Sequence, residues 1–386
     1  MSKEKAKSPE LEKFDTELKG ADLESNPTVK ALRREVKNLQ KQIMVGHTGE
    51  ETILHAVAEA YRVTEKIEFI PPAAPKTYDK KEHTEIPIAI LSDLQIGKIT
   101  KTYNSSVARE RLMQYAQKVV LLSKIHSAYA NVDELHVYWI GDMVEGEQIF
   151  PTQPFLIDSS VLKQAVVSVP TILAEMVFFW LGHFKTIRVF TVPGNHGRSG
   201  KKHDATHPET NWDNVSYHVA KLMIEGTPEA PRRDAAGKPV TDRVSIHISD
   251  SFWNLDRIGK WGYLMIHGDQ VSGGFAGFPW YGVTRFAQKM ARNHEIPPWD
   301  YMFLGHFHTP TNWVVNDIEI FANGTTESSN DFALANMGAA GFPCQWLCFA
   351  SAKSGMLSAY KIYLDQAGRV PHVERMAKLA SKEKIH

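Results

Sequence analysis

Five short apolar runs, each followed at once by residues that can bind a metal ion, constrain this chain more than any other feature. The runs are "IPIAIL" (86–91), "LHVYWI" (135–140), "TIRVFTV" (186–192), "YLMI" (263–266) and "YMFL" (301–304). Continuous apolar runs of this length read as strands buried on both faces. Helical patterns over about 106–130, 158–184 and 212–225 fall between them, and alternating strands and helices predict a layered α/β domain. After the runs come, in order, Asp93 and Gln95; Gly141 and Asp142; Asn195 and His196 in "PGNH"; His267 to Asp269 in "HGD"; and His306 and His308 in "GHFH". Sites in open α/β sheets form at the carboxyl ends of strands, so these positions are compatible with one shared site. A lone histidine or Gly-Asp pair is commonly structural; five in succession, each supplying oxygen or imidazole, point to common chemistry.

That chemistry explains the residue types. Two divalent cations about 3.5–4 Å apart can hold a bridging hydroxide and clamp the attacking and leaving oxygens of an in-line phosphoryl displacement. A bridging carboxylate offsets the repulsion between the cations, while imidazoles and an amide carbonyl complete the shells without negative charge that would repel phosphate. Glycines beside the ligands let the backbone turn close to the metals, and Gly97 in "LSDLQIGK" is expected to let substrate approach.

The order Asp-x-Gln, "GDMVEG", "PGNH", "HGD", "GHFH" resembles the calcineurin-like metallophosphoesterase superfamily over residues 86–325, and "IEIFANGTTESS" resembles the strand and Asn-Gly turn that follow its last histidine. The resemblance implies a four-layer α/β/β/α sandwich with two metals between the sheet edges. It implies that Asp142 bridges them, that Asp93, Gln95 and His308 hold one ion, and that Asn195, His267 and His306 hold the other. His196 would stabilise the transition state or protonate the leaving oxygen, oriented by Glu145. Two positions depart from the family pattern. Gly197 stands where an acid often follows the histidine, and Gln95 stands where histidine is common. A glutamine oxygen is a harder donor than imidazole, so manganese is expected, with magnesium, iron or zinc as alternatives.

"LSDLQIGK" and "IGDMVEGEQIFPTQ" are most similar to the matching stretches of SbcD-type repair nucleases and of the small exonuclease subunit of archaeal family D DNA polymerase. The resemblance implies a DNA nuclease. A phosphoesterase acting on nucleotides, cyclic nucleotides or nucleotide diphosphate derivatives is the alternative, and a non-catalytic scaffold the third reading. Arg198, Lys201, Lys202, His203 and Trp212 follow the third motif, and Arg285 follows the aromatics of "FPWYGVTRF"; cations with aromatics near a phosphate site suit a single strand. The 44 lysines and arginines balance 44 acids, so nucleic acid would have to be met by a local patch.

Residues 1–80 are expected to form a charged, helical extension and linker, 81–370 the catalytic domain, and 371–386 a charged tail. Val29, Leu32, Val36, Leu39 and Ile43 step by three and four, which suits either packing on the domain or a short coiled coil making a homo-oligomer. No Gly-x-x-x-x-Gly-Lys-Ser/Thr motif occurs, so any ATPase partner would be separate. The N-terminus has no apolar core, and "AVVSVPTILAEMVFFWLGHF" is broken by Pro170 and Glu175, which suits a buried helix better than a membrane span. Cys344 and Cys348, spaced to share a helix face, are expected to be buried free thiols in the cytoplasm.

Overall fold

The computed structural model describes residues 31, 34–38, 83–149, 151–200, 207–271, 278–328 and 343–365. The chain divides into two compact units, 1–77 and 78–386. In the first, residues 34–38 are helical; the rest of the Val29–Ile43 heptads, most of the linker and the 371–386 tail lie outside the described residues.

The second unit is built on two sheets. One has the order β11-β10-β1-β2-β3-β4, from Gly355–Tyr363 (β11), Cys344–Ser351 (β10), Ile86–Leu91 (β1), Glu134–Ile140 (β2), Thr186–Val192 (β3) and Val244–Ile248 (β4). The other has the order β8-β9-β7-β6-β5, from Thr311–Val315 (β8), Ile318–Ala322 (β9), Tyr301–Leu304 (β7), Trp261–Ile266 (β6) and Trp253–Ile258 (β5). β1 to β4 run parallel, and so do β6, β7 and β9, so each sheet gathers several carboxyl ends on one edge.

Alternation along the strands divides the core in three. Ala89, Leu91, Val137, Trp139 and Val189 pack under helices α1 (Ser105–His126), α2 (Val161–Leu181) and α3 (Trp212–Glu225). Their neighbours Ile88, Ile90, Tyr138, Ile140 and Phe190 face the second sheet, meeting Tyr263, Met265, Phe303 and Phe321. The opposite face of that sheet, Leu264, Ile266, Met302 and Leu304, packs on α4 (Trp280–Ala291) through Val283, Ala287 and Met290. Three cores separate four layers, α/β/β/α. The strands read as unbroken apolar runs because both of their faces are buried.

The helices follow local signals. Asn104 caps α1 by accepting from the Val107 amide, and Lys124 and His126 sit in its last turn, where cations suit the helix dipole. α2 contains a π turn, Gln164–Ser168, immediately before Pro170, so the residue that lacks an amide donor enters where the regular ladder is already interrupted. The helix is long and apolar enough to span a bilayer, yet 56% of its most apolar window is buried within the protein. Cys344 and Cys348 lie on β10 rather than on a helix. Both are free and buried, and burial pushes Cys344 up to about 12 and Cys348 well above the ordinary thiol value. "CQWLC" satisfies helical and strand spacing alike, and tertiary pairing between β1 and β11 settles it.

One polar pin crosses the apolar seam between the sheets. His136 on β2 pairs through Nδ1 with Asp256 on β5, its Nε2 lies 3.0 Å from Glu134, and the Tyr138 hydroxyl donates to Asp256 at 2.8 Å. Burial alone would lower the imidazole, but the bonds to Asp256 and Glu134 outweigh it and raise His136 above its ordinary value. A raised folded value contributes stability in full below the unfolded value of about 6.5 and loses it as pH climbs through the folded one. Asp256→Asn is therefore expected to lower the melting temperature more at about pH 6 than at about pH 9. A gap that stays constant with pH would show that the pin carries no charge.

Candidate metal centre

Strand-end residues from both sheets converge. One ligand atom each from Asp142, His267 and His306 lies within 4.8 Å of the others. Asp142 Oδ2 is 3.0 Å from His267 Nε2, and Asn195 Oδ1 is 3.2 Å from the same nitrogen. On the other flank, Asp93 Oδ1 is 3.3 Å from His308 Nε2, and Asp93 accepts from the His306 amide at 2.9 and 3.1 Å. Asp93, Asp142 and His267 are at most 1% exposed. Buried carboxylates at that exposure need a cation, a proton or dense hydrogen bonding to offset their desolvation.

The backbone is strained where these side chains leave it. Six non-glycine residues among those described have positive φ, and five of them are Asp93 (54°), Gln95 (46°), Asp142 (52°), His306 (67°) and His308 (52°). A non-glycine residue in this region costs on the order of 1 kcal/mol or more, so the strain is concentrated in the residues that the strand-end pattern singled out.

Two imidazoles are fixed in the same sense. His267 Nδ1 donates to the Ile140 carbonyl at 2.9 Å, across the seam from its own sheet, and His308 Nδ1 donates to Glu327 Oε1 at 3.0 Å. Each therefore presents Nε2 inward, the arrangement in which an outer partner orients a ligating histidine. Burial, with the His267 imidazole beside it, pushes His306 down to about 3 and keeps it neutral. Burial works the same way on His267, but the Asp142 carboxylate outweighs it and lifts that ring to about 10, while Asp142 itself is held far below the usual carboxylate range. The pair shows how strongly this pocket attracts positive charge.

His196 stands beside them. Its amide donates to Asp142 Oδ1 at 2.7 Å, and its Nδ1 lies 2.8 Å from the Glu145 carbonyl and 3.4 Å from Glu145 Oε2. Burial would lower it, but Asp142 and Glu145 prevail and raise it to about 9. Glu145 is 1% exposed, held by Gln153 Nε2 at its backbone oxygen (2.6 Å) and Oε1 (3.1 Å), while its Oε2 has no hydrogen-bond partner.

The remaining candidates divide. Arg198 pairs with Asp269. Trp212 opens α3 and packs against the first core, which places its ring in the fold rather than in a groove. Arg285 is exposed on α4, and Lys201, Lys202 and His203 lie outside the described residues. Gly97 is needed for a different reason than access: at φ 109°, a Cβ there would lie 2.3 Å from the Gln164 amide, so the buried side chain of α2, rather than substrate, fills the space. Gly197 has a similar explanation, since a Cβ would meet Asn211 Oδ1 at 2.1 Å; this side chain caps α3, and an acid would not fit.

No family model matches the sequence, and no curated protein matches it. Among solved structures the chain is similar to a conserved uncharacterized protein from Streptococcus pneumoniae described as a "predicted phosphoesterase", with 14% identity over 72% of this chain and 98% of that one at a TM-score of 0.28. It is also similar to a novel archaeal phosphodiesterase (10% identity, 72% and 99% covered, TM-score 0.32) and to zinc-complexed Vps29 from Entamoeba histolytica (8% identity, 72% and 99% covered, TM-score 0.30). TM-scores this low carry no argument; the four layers and the five strand ends in sequence order agree with the sandwich that the motif resemblance implies. The fold is a four-layer α/β/β/α sandwich.

Within this sandwich, two acids that hold the site together were not among the expected residues. Asp213, at the N-terminus of α3, accepts from the amides of Asp142 (2.8 Å), Met143 (3.0 Å), Val144 (3.2 Å) and Gly194 (2.8 Å). Burial, and then the Asp142 charge, raise it to about 6. Glu327, just past the Asn-Gly turn, is held far below the usual carboxylate range despite its burial, because His308 and Lys98 bond to it. "NWDN" at a helix start and "TTES" after a strand carry these acids, but both also read as ordinary capping and turn chemistry. Asp213→Ala would leave four buried amides unpaired. It is expected to cost on the order of 3 kcal/mol in stability and to weaken manganese binding with it; denaturant unfolding and calorimetric titration would show this, and a variant unchanged in both would remove Asp213 from the site's support.

Proposed function

We propose that this protein is a metal-dependent phosphodiesterase acting on DNA. The observation that carries the first half is the convergence of Asp142, His267 and His306 within 4.8 Å at strained strand ends. The donor set fits a divalent metal: carboxylates, imidazole nitrogens and an amide oxygen, with Nδ1 of His267 and His308 bonded outward so that Nε2 is turned inward. Asp142 would be shared, with Asn195, His267 and His306 on one side and Asp93 and His308 on the other, Gln95 alongside them. Divalent ions bound there would supply charge stabilisation of the phosphoryl oxygens and a nucleophile formed from water at neutral pH; manganese is the metal we propose, on the oxygens of Asp93, Asp142 and Asn195.

The chain's own residues do the rest. His196 is anchored at Nδ1 by Glu145 and at its amide by Asp142, so its ring is held in one orientation with Nε2 free. A protonated ring there can hydrogen-bond a non-bridging phosphate oxygen or pass its proton to the leaving oxygen. Glu145, buried and bonded by Gln153, keeps the positive form favoured.

Support for DNA comes from the ground beside the site. Phe307, between the two histidines of the fifth motif, packs on Phe278 with ring centroids 5.1 Å apart, and Phe278 packs in turn on Trp280 at 4.8 Å. Trp280 is 49% and Tyr281 75% exposed at the start of α4, and Arg285 follows them on the same helix. Exposed rings joined to the fifth motif through Phe278 and Phe307, with a cation on the same helix, suit stacked bases of a single strand.

With manganese, the protein is expected to hydrolyse bis(p-nitrophenyl) phosphate, and Asp142→Ala or His267→Ala to abolish this; wild-type-like rates in either would overturn the site. His196→Ala is expected to keep its metal and lose about 10²–10⁴ in rate. Labelled single-stranded and duplex DNA compared with a panel of nucleotides tests the substrate: rapid nucleotide turnover without DNA cleavage would replace the nuclease reading with a small-molecule one.

A further inference from the structure

The last residue of "LSDLQIGK" has no part in those roles. The Lys98 side chain is only 14% exposed, and its ammonium meets two acceptors: Gln95 Oε1 at 3.0 Å and the carboxylate of Glu327. Glu327, its side chain 2% exposed, also accepts from His308 Nδ1. Lys98, Gln95, Glu327 and His308 thus form one bonded cluster on the Asp93 flank of the site.

The cluster fixes which way Gln95 faces. An ammonium has donors only, so the atom that meets it has to be the amide oxygen. The amide nitrogen is then left toward His308 Nε2, 3.3 Å away. An amide nitrogen has no lone pair to offer a cation, and the oxygen that could serve is turned to Lys98, away from His308 Nε2. The Asp93 flank is left with Asp93 and His308 as its own donors and with an ammonium among its neighbours. The other flank has Asn195, His267 and His306, and among the described residues no lysine or arginine side chain bonds any of them. Glu327 offsets part of that charge, and the rest of the handicap on this flank is the Gln95 oxygen turned away from it.

We propose that the two metal positions are unequal because Lys98 holds Gln95 out of coordination: one divalent ion binds tightly on Asp142, Asn195, His267 and His306, and a second binds weakly on Asp93, His308 and the shared Asp142. This rests on the reading of the site as a metal centre. Its consequence is that the second position fills and empties with the free metal concentration, while the first stays occupied.

Manganese titration of the full chain, followed by calorimetry and by electron paramagnetic resonance, tests this without reference to activity. The wild type is expected to take one ion with a mononuclear spectrum, then a second at least about tenfold more weakly, as a neighbouring like charge requires. Lys98→Met is expected to tighten the second step about tenfold or more and leave the first in place, whereas Lys98→Arg, which keeps charge and donors, keeps the second step weak. Two ions of equal affinity in the wild type, or a second step that Lys98→Met does not move, would overturn the proposal and leave the metal centre standing. A wild type that binds no manganese would overturn both. If Lys98→Met fails to fold, the wild-type titration still decides through the inequality of its two steps.

Discussion

The geometry of the site depends on one carboxylate that faces away from it. Asp213 accepts four backbone amides, three from the turn after β2 and one from the turn after β3, and so fixes the two loops that carry Asp142, Asn195 and His196 relative to each other. Asn211 reinforces it, capping α3 at the Asp213 amide while its own amide donates to the Gly194 carbonyl. A helix N-terminus favours a negative charge, so α3 compensates part of what burial of Asp213 costs. Losing this junction would remove three of the bonds that hold the turn at Asp142, where φ is positive.

The second sheet is brought to the first by two kinds of contact with different effects. The apolar seam of Tyr138, Phe190, Tyr263, Phe303 and Phe321 supplies adhesion without direction. Direction comes from polar bonds across it: His267 to the Ile140 carbonyl near the site, and the His136 and Asp256 pin farther along the same strand. Each restrains the two sheets from sliding over one another, so that the strand ends of both stay in register at the site.

The parallel strands and their terminal ligands were legible because burial on both faces writes an unbroken apolar run, and because polar residues directly after it have few places to go. β10 was not legible as a strand: "CQWLC" has helical spacing, and what makes it a strand is pairing with β1 and β11, far away in sequence. Gly97 signals a close approach, but not by what; only the fold brings Gln164 to it. Trp212 after a basic stretch suits packing and stacking alike, and only the fold shows that α3 sets it against the core. Asp213 and Glu327 escaped for a related reason. Each acts through backbone amides or a second side chain, and such partners leave no periodic trace.

Gln95 changes meaning in this setting. A ligand lost by drift leaves its neighbours with buried polar groups unpaired, at a cost on the order of 1–3 kcal/mol each. Here both atoms of the amide have neighbours: the oxygen meets Lys98, the nitrogen faces His308, and Lys98 is joined to His308 again through Glu327. A histidine at position 95 could offer Lys98 no carbonyl, so position 95 and position 98 are matched to each other. The departure from the family pattern is therefore a set of compensating contacts rather than a vacancy, and its effect falls on one flank of the site while the Asp142, His267 and His306 flank keeps its full complement.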